Sequence, residues 1–208
     1  ALKLMRQVTD PKGRYKPNLR SIGSGGETLG AEMLEWGRSV FGFTINEFYG
    51  QTECNLVVGN CASVTEVRPG SMGRAIPGHH VAIVDQDGRE LPPGETGDIA
   101  VRRGDPVMFL RYWNDDAATE AKYRNGWLIT GDLGKRDHTG YFWYVGRSDD
   151  VINSSGYRIG PGEVEDCLLR HPAVQMAAVI GVPDDTRGEV VKAVIVLQEG
   201  RKPDEALT

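Results

Sequence analysis

The sequence is poor in cysteine, has no long apolar run and carries no surplus of positive charge, and each shortage removes a class of function. Its three cysteines, Cys54, Cys61 and Cys167, are odd in number and none sits in a CxxC pair. A disulfide framework and a thiolate metal site are therefore not expected, and reduced thiols suit a cytoplasmic protein. No apolar stretch approaches the ~18 residues that span a bilayer, and no signal-peptide pattern opens the chain. The 24 Lys and Arg are outnumbered by 29 Asp and Glu, giving a net charge of −5. That balance leaves no electrostatic footprint for nucleic acid or an anionic membrane. Internal repeats and low-complexity segments are absent too, and the oligomeric state stays open.

What is present is an ordinary globular composition. The 208 residues are 39% hydrophobic and 25% charged, enough for one large or two small domains. The chain starts at Ala1 and stops at Thr208, soon after Pro203-Asp204-Glu205, a run suited to opening a further helix. Both ends are expected to be cuts in a longer protein.

Leu19-Arg20-Ser21-Ile22 predicts a strand, followed by a glycine loop at Gly23-Ser24-Gly25-Gly26. Leu29, Met33, Trp36 and Val40 then recur at helical spacing, with Gly42 placed to end the helix. Phe43 and Ile45 alternate into a strand that delivers Tyr49 to Glu53 at its C-terminal end, where open α/β sheets bind ligands. From about Ser63 to Arg147 the pattern turns to short strands: His80–Val84, Asp98–Val101 and Tyr141–Tyr144. Turns at Asp87-Gly88, Pro92-Pro93-Gly94 and Thr139-Gly140 separate them. Pro161 then suits a first helical position, Pro172 a stop, and Val174–Val182 and Glu189–Leu197 two further strands.

Several of these segments carry polar groups suited to a nucleotide. In Asn46-Glu47-Phe48-Tyr49-Gly50-Gln51-Thr52-Glu53 a hydroxyl and a carboxylate stand side by side behind an aromatic-glycine turn. Thr52 can donate to a phosphoryl oxygen, and Glu53 can hold magnesium, a hard cation that takes carboxylate and phosphate oxygens. A strand end with an ordinary exposed glutamate is the plain alternative. The loop Gly23–Glu27 lacks both the Gly-Lys-Ser/Thr ending of a phosphate loop and a GxGxxG spacing, so a tight strand-to-helix turn is equally open. Asp132, on a Thr130-Gly131-Asp132 turn, can accept from both hydroxyls of a ribose or simply cap its turn. Arg187 suits phosphate through its planar donor fork, or stands as a loop arginine. His171 reads as a packed or capping histidine, and Cys54 as filler with no histidine partner.

Taken together, Asn46–Glu53, Trp127–Asp132 and Gly146-Arg147-Ser148-Asp149-Asp150 with Asn153–Arg158 resemble motifs of the adenylate-forming superfamily. That superfamily holds acyl- and aryl-CoA synthetases, adenylation domains and luciferases. Ser154-Ser155-Gly156-Tyr157-Arg158-Ile159-Gly160-Pro161 is similar to the medium-chain acyl-CoA synthetases. The resemblance runs from about Leu19 to Leu197. It implies an α/β and β chain in three parts. Residues 1–62 would end an αβ-layered subdomain with the nucleotide and acyl pocket, 63–148 would form a small β-barrel-like subdomain, and 149–208 part of a small α+β C-terminal domain after a hinge.

The resemblance also implies roles. ATP or AMP would meet Gly26, Glu27, Glu47, Phe48, Tyr49, Gly50, Gln51, Thr52, Asp132 and Arg147. Thr52, Glu53 and Arg158 would serve the reaction, with Glu53 on magnesium. Ser155, Gly156, Tyr157 and Arg187 would border CoA, and Asp149 would be the hinge. Acetate-specific relatives carry tryptophan where this chain has Gly50, so an acyl group larger than acetyl, and a place in fatty-acid metabolism, are implied. The implied activity is an ATP-dependent ligase joining a small carboxylate to CoA through acyl-AMP. The family's phosphate loop lies upstream of this segment and its catalytic lysine beyond Thr208, so the 208-residue chain alone is expected to be inactive. A carrier-protein-loading adenylation domain, a luciferase-like oxidoreductase and a non-catalytic nucleotide-binding module remain alternatives.

Overall fold

The computed structural model describes residues 2–26 and 28–201, with the side chain of Arg158 left aside. The chain divides into two compact units. Ala1–Thr130 and Gly134–Tyr144 make the first, and Gly131–Leu133 and Val145–Thr208 the second.

Two short helices, α1 (Leu2–Arg6) and α2 (Pro11–Tyr15), lead into β1 (Gly23–Ser24), α3 (Ala31–Phe41), β2 (Asn46–Gln51) and β3 (Asn55–Gly59). They are followed by β4 (Gly73–Ala75), β5 (Val81–Val84), β6 (Thr96–Arg102), α4 (Asp116–Ala121), β7 (Tyr123–Arg124), β8 (Trp127–Arg136) and β9 (Tyr141–Arg147). Among the described residues these strands form a nine-stranded sheet in the order β1-β2-β3-β4-β9-β8-β6-β5, with β7 beside β8. Because β3 pairs β4, the sheet runs unbroken across residue 62. The path is open, with β1 at one end and β5 at the other, so the barrel-like segment does not close into a barrel. The strand expected at Leu19–Ile22 lies later. Its parallel ladder is Gly23↔Asn46 and Ser24↔Glu47, and the Asn46 N–H donates to the Ile22 carbonyl at 2.9 Å.

The continuous apolar run of β5 is explained by burial on both faces. Val81 and Ile83 join one core cluster with Val57, Val58, Ile99, Leu128 and Phe142, while Ala82 and Val84 join another with Ala100 and Trp127. Each large side chain in these clusters stabilises the fold by roughly 1.5–3 kcal/mol. Helix α3 buries Met33, Leu34 and Gly37. A Cβ on Gly37 would come within 2.7 Å of the Ile45 side chain, so a glycine there allows the helix to approach β2's lead-in residue. Gly42 ends α3 in the left-handed region at φ 80°, its N–H donating to the Arg38 carbonyl.

In the second unit, β10 (Ile152–Ser154) and β11 (Tyr157–Ile159) form a hairpin, α5 (Pro161–Leu169) starts with its proline at the first turn, and β12 (Val174–Asp184) and β13 (Gly188–Leu197) form a longer hairpin. The sheet order is β11-β10-β13-β12. A Glu165 carboxylate oxygen accepts the Val179 N–H at 2.8 Å, tying α5 to β12.

Candidate functional site

Strand β2 packs on the glycine loop with one face and ties Leu29, after the loop, with the other. Phe48 lies over the loop backbone, where a Cβ at Gly25 would stand 2.4 Å from the ring and one at Gly23 3.0 Å from it. The next residue back, Glu47, points to the opposite face because strand side chains alternate. It is buried at 4% exposure, its backbone carbonyl accepts the Asn60 N–H at 2.8 Å, and its carboxyl group accepts the Leu29 N–H. Burial pushes this carboxyl up to about 7, against the smaller lowering by the Leu29 hydrogen bond. Gly26 follows with φ 92°, a conformation that suits glycine. Glu27 lies outside the described residues.

At its C-terminal end β2 turns into β3. The register shifts between Tyr49 and Gly50, and Gln51 pairs Asn55 across a turn that carries Thr52, Glu53 and Cys54. Gly50 allows this close approach, since a Cβ there would stand 1.8 Å from the Asn55 carbonyl oxygen. Tyr49 packs on the main core, and Gln51 donates its side-chain amide to the Thr130 carbonyl at 3.2 Å. Thr52 is exposed and Glu53 half-buried. The Tyr112 hydroxyl donates to Glu53 Oε1 at 2.5 Å, and the Phe109 N–H donates to the Glu53 carbonyl at 2.8 Å. Burial first, and then the Glu53 hydrogen bond, push Tyr112 up to about 12. Tyr112 therefore remains a hydroxyl donor at neutral pH. Nothing in the sequence pattern marked it: its partner lies 59 residues away and the 105–115 segment has no period.

The second unit brings Asp132, Arg147 and Asp149 together. Arg147 Nη1 lies 3.3 Å from Asp132 Oδ1, and Nε 3.1 Å from Asp149 Oδ1. Asp132 is buried while Asp149 is exposed. The Asp149 hydrogen bond, followed by the charge of Asp132, raises the Arg147 guanidinium above its ordinary value. Reciprocally, Arg147 holds the Asp149 carboxyl below its ordinary value. Ser148 closes the corner by donating both N–H and Oγ to the Gly131 carbonyl, at 2.9 and 3.0 Å.

The two turns that carry the residues expected at CoA are joined by a backbone hydrogen bond. Ser155 (φ 50°) and Gly156 (φ 85°) form the β10–β11 turn, and the Ser155 N–H donates to the Arg187 carbonyl at 2.9 Å. Tyr157 and Arg187 are both exposed. Asp184 Oδ1 accepts the N–H groups of Thr186 and Arg187, which fixes the β12–β13 turn. The Arg158 backbone pairs Asn153 in the β10–β11 ladder. His171 pins the turn after α5, accepting the Ala173 N–H on Nδ1 at 3.2 Å, and Cys54 is fully buried in the core. Among the described residues no group of three His, Cys, Asp or Glu gathers in a metal-holding arrangement, and no helix is long and apolar enough to cross a membrane.

Comparison with known proteins follows the same segments. A model of the AMP-binding enzymes matches residues 2–113, and a model of the AMP-binding enzyme C-terminal domain matches residues 163–208. An acetyl-coenzyme A synthetase of Bacillus subtilis (strain 168) is 44% identical over 191 residues, covering 91% of this chain and 33% of that protein. The mitochondrial acyl-coenzyme A synthetase ACSM4 of Homo sapiens is 47% identical over 188 residues, covering 88% of this chain and 32% of that protein. The crystal structure of ATP-bound MatB from Rhodopseudomonas palustris superposes with a TM-score of 0.83 at 33% identity, over 99% of this chain and 44% of that one. The chain thus spans between about a third and two fifths of the length of the curated relatives it matches.

Proposed function

The chain belongs to the AMP-binding enzymes, and from that premise we propose that it is part of an ATP-dependent, AMP-forming acyl-CoA synthetase, an acid–thiol ligase. A carboxylate attacks the α-phosphorus of ATP, giving acyl-AMP and pyrophosphate. The CoA thiolate then attacks the acyl carbonyl and AMP leaves. The observation that carries this reading is the β2–β3 turn, which presents an exposed Thr52 hydroxyl beside a Glu53 carboxylate held by Tyr112.

Magnesium enters as the partner of the triphosphate. The residues present fit it, because one oriented carboxylate and one hydroxyl suit a cation that keeps waters and takes its remaining oxygens from phosphate. When bound there it would offset the triphosphate's negative charge. The protein's own share is positioning and charge. Thr52 donates to a phosphoryl oxygen, Asp132 accepts from the ribose hydroxyls, and Arg147 meets ribose or phosphate oxygens. Gly26, Phe48, Tyr49, Gly50 and Gln51 frame the adenylate, with Glu47 behind them; Glu27 keeps its implied nucleotide role and Arg158 its implied role in the reaction. Ser155, Gly156, Tyr157 and Arg187 border CoA, and Asp149 is the hinge in the three-part division at 62/63 and 148/149. A role in fatty-acid metabolism and a cytoplasmic location complete the proposal.

Calorimetry with AMP and Mg2+ tests the site. Asp132→Ala is expected to weaken binding about 10-fold, as for a lost hydrogen bond to a charged group, and Thr52→Ala by less. If neither changes binding, the site assignment is wrong. A panel of carboxylates in ATP–pyrophosphate exchange should give little turnover with the 208-residue chain alone. Robust exchange would contradict the placing of phosphate loop and lysine outside it. Thioester formation dependent on free CoA separates this reading from a carrier-protein-loading domain.

A further inference from the structure

Given the reading of Glu53 as the carboxylate for a metal–triphosphate, we propose that Tyr112 is a positioning residue that fixes the orientation of Glu53 for that metal. A glutamate on an open turn has three side-chain torsions to fix, and ordering them on metal binding costs conformational entropy. The Tyr112 hydroxyl removes part of that freedom in advance, since its 2.5 Å hydrogen bond tethers Oε1. The same segment grips the backbone of residue 53, through Phe109 N–H to the Glu53 carbonyl at 2.8 Å. Turn and segment are therefore tied at two points, one on the main chain and one on the side chain.

Tyr112 is in turn held. Its N–H donates to Thr119 Oγ1 at 2.9 Å, and its ring packs against Phe109 with centroids 4.9 Å apart. Thr119 is buried, and its hydroxyl donates to the Asp115 carbonyl at 2.7 Å. Asp115 caps α4 by accepting the Ala118 N–H at 2.9 Å. A further anchor lies at the segment's start, where His79 Nδ1 meets both Asp105 carboxylate oxygens at 2.9 and 3.1 Å. The hydroxyl that meets Glu53 is thus the tip of a braced loop. Groups of this kind, hydrogen-bonded to a metal's carboxylate ligand, typically change metal affinity 10- to 100-fold when lost.

Tyr112→Phe removes only the hydroxyl and keeps the ring on Phe109. Mn2+ serves as the probe in place of Mg2+, with ATP present, and bound Mn2+ is counted by electron paramagnetic resonance in the wild-type chain, Glu53→Gln and Tyr112→Phe. Thermal melts of all three run alongside. The expected result is Mn2+ affinity at least 10-fold weaker in both variants, with Tyr112→Phe still folded. If Glu53→Gln weakens Mn2+ binding while Tyr112→Phe matches wild type or binds more tightly, the positioning role is overturned and the reading of Glu53 stands. If wild type binds no Mn2+ with ATP, or Glu53→Gln equals wild type, the metal reading itself falls and the role of Tyr112 falls with it.

Discussion

Replacing Gly50 with alanine is expected to cost about 3 kcal/mol of folding stability, in the range of overpacking a closed structure. The added Cβ would sit 1.8 Å from the Asn55 carbonyl oxygen, 2.7 Å from its carbon and 3.0 Å from the Leu56 Cα. All three are backbone atoms, so no side chain can swing aside. Relief requires the β2–β3 hairpin to part at the register shift between Tyr49 and Gly50, weakening the Gln51↔Asn55 and Gly50↔Leu56 pairings. Each backbone hydrogen bond lost there costs about 1 kcal/mol. Denaturant unfolding of the wild type and Gly50→Ala measures the difference. A change below about 0.5 kcal/mol, the size of an ordinary surface substitution, would refute the argument.

The same contact alters what Gly50 says about substrate. Sequence resemblance offered the missing side chain as an opening for a larger acyl group. In the structure the hairpin backbone alone requires glycine, whatever the acyl group is. Acyl size is therefore better measured than read from Gly50, and the carboxylate panel should include acetate.

Local pattern made much of the fold legible. The helical spacing of Leu29, Met33, Trp36 and Val40 located α3, Gly42 its end, and Pro161 the start of α5. The apolar run of Val81–Val84 and the aromatic run from Tyr141 located β5 and β9. What escaped depends on partners distant in sequence. β8 reaches ten residues, Trp127–Arg136, although its interior Thr130-Gly131-Asp132 reads as a turn by composition. At the site, residue identity pointed to Thr52, Glu53, Asp132 and Arg147, but only the folded chain shows that Arg147 joins Asp132 to Asp149. Tyr112 joins Glu53 through a loop with no pattern of its own, and Glu47 is another such case. A glutamate within a ligand signature suggests an exposed contact, whereas the β2 alternation and the returning loop bury it.

That burial makes the stability of the fold fall as pH rises through neutrality. In the native state the Glu47 carboxyl lies near 7, against 4.5 for an ordinary glutamate, so the folded chain holds this proton more tightly than the unfolded one. A raised pKa contributes stability that is complete below about pH 4.5 and is lost as pH rises through about 7. At 1.36 kcal/mol per pKa unit the whole effect is about 3 kcal/mol, of which 2–3 kcal/mol falls between pH 5 and pH 8. Glutamine keeps an acceptor for the Leu29 N–H and carries no charge, so Glu47→Gln should lack this loss. Unfolding wild type and variant at pH 5 and pH 8 isolates the residue, because every other titrating group is shared. The difference between them should move by about 2–3 kcal/mol in the variant's favour toward pH 8; a difference independent of pH would show Glu47 to be hydrated or already ionised. The linkage extends to Leu29, which Glu47 ties. Ionisation favours any state in which the carboxylate reaches water, and the Leu29 N–H is the tie that must break for it to do so. Hydrogen exchange at the Leu29 amide should therefore quicken from pH 5 to pH 8 in wild type beyond the intrinsic base-catalysed rise, and Glu47→Gln should follow the intrinsic rise alone.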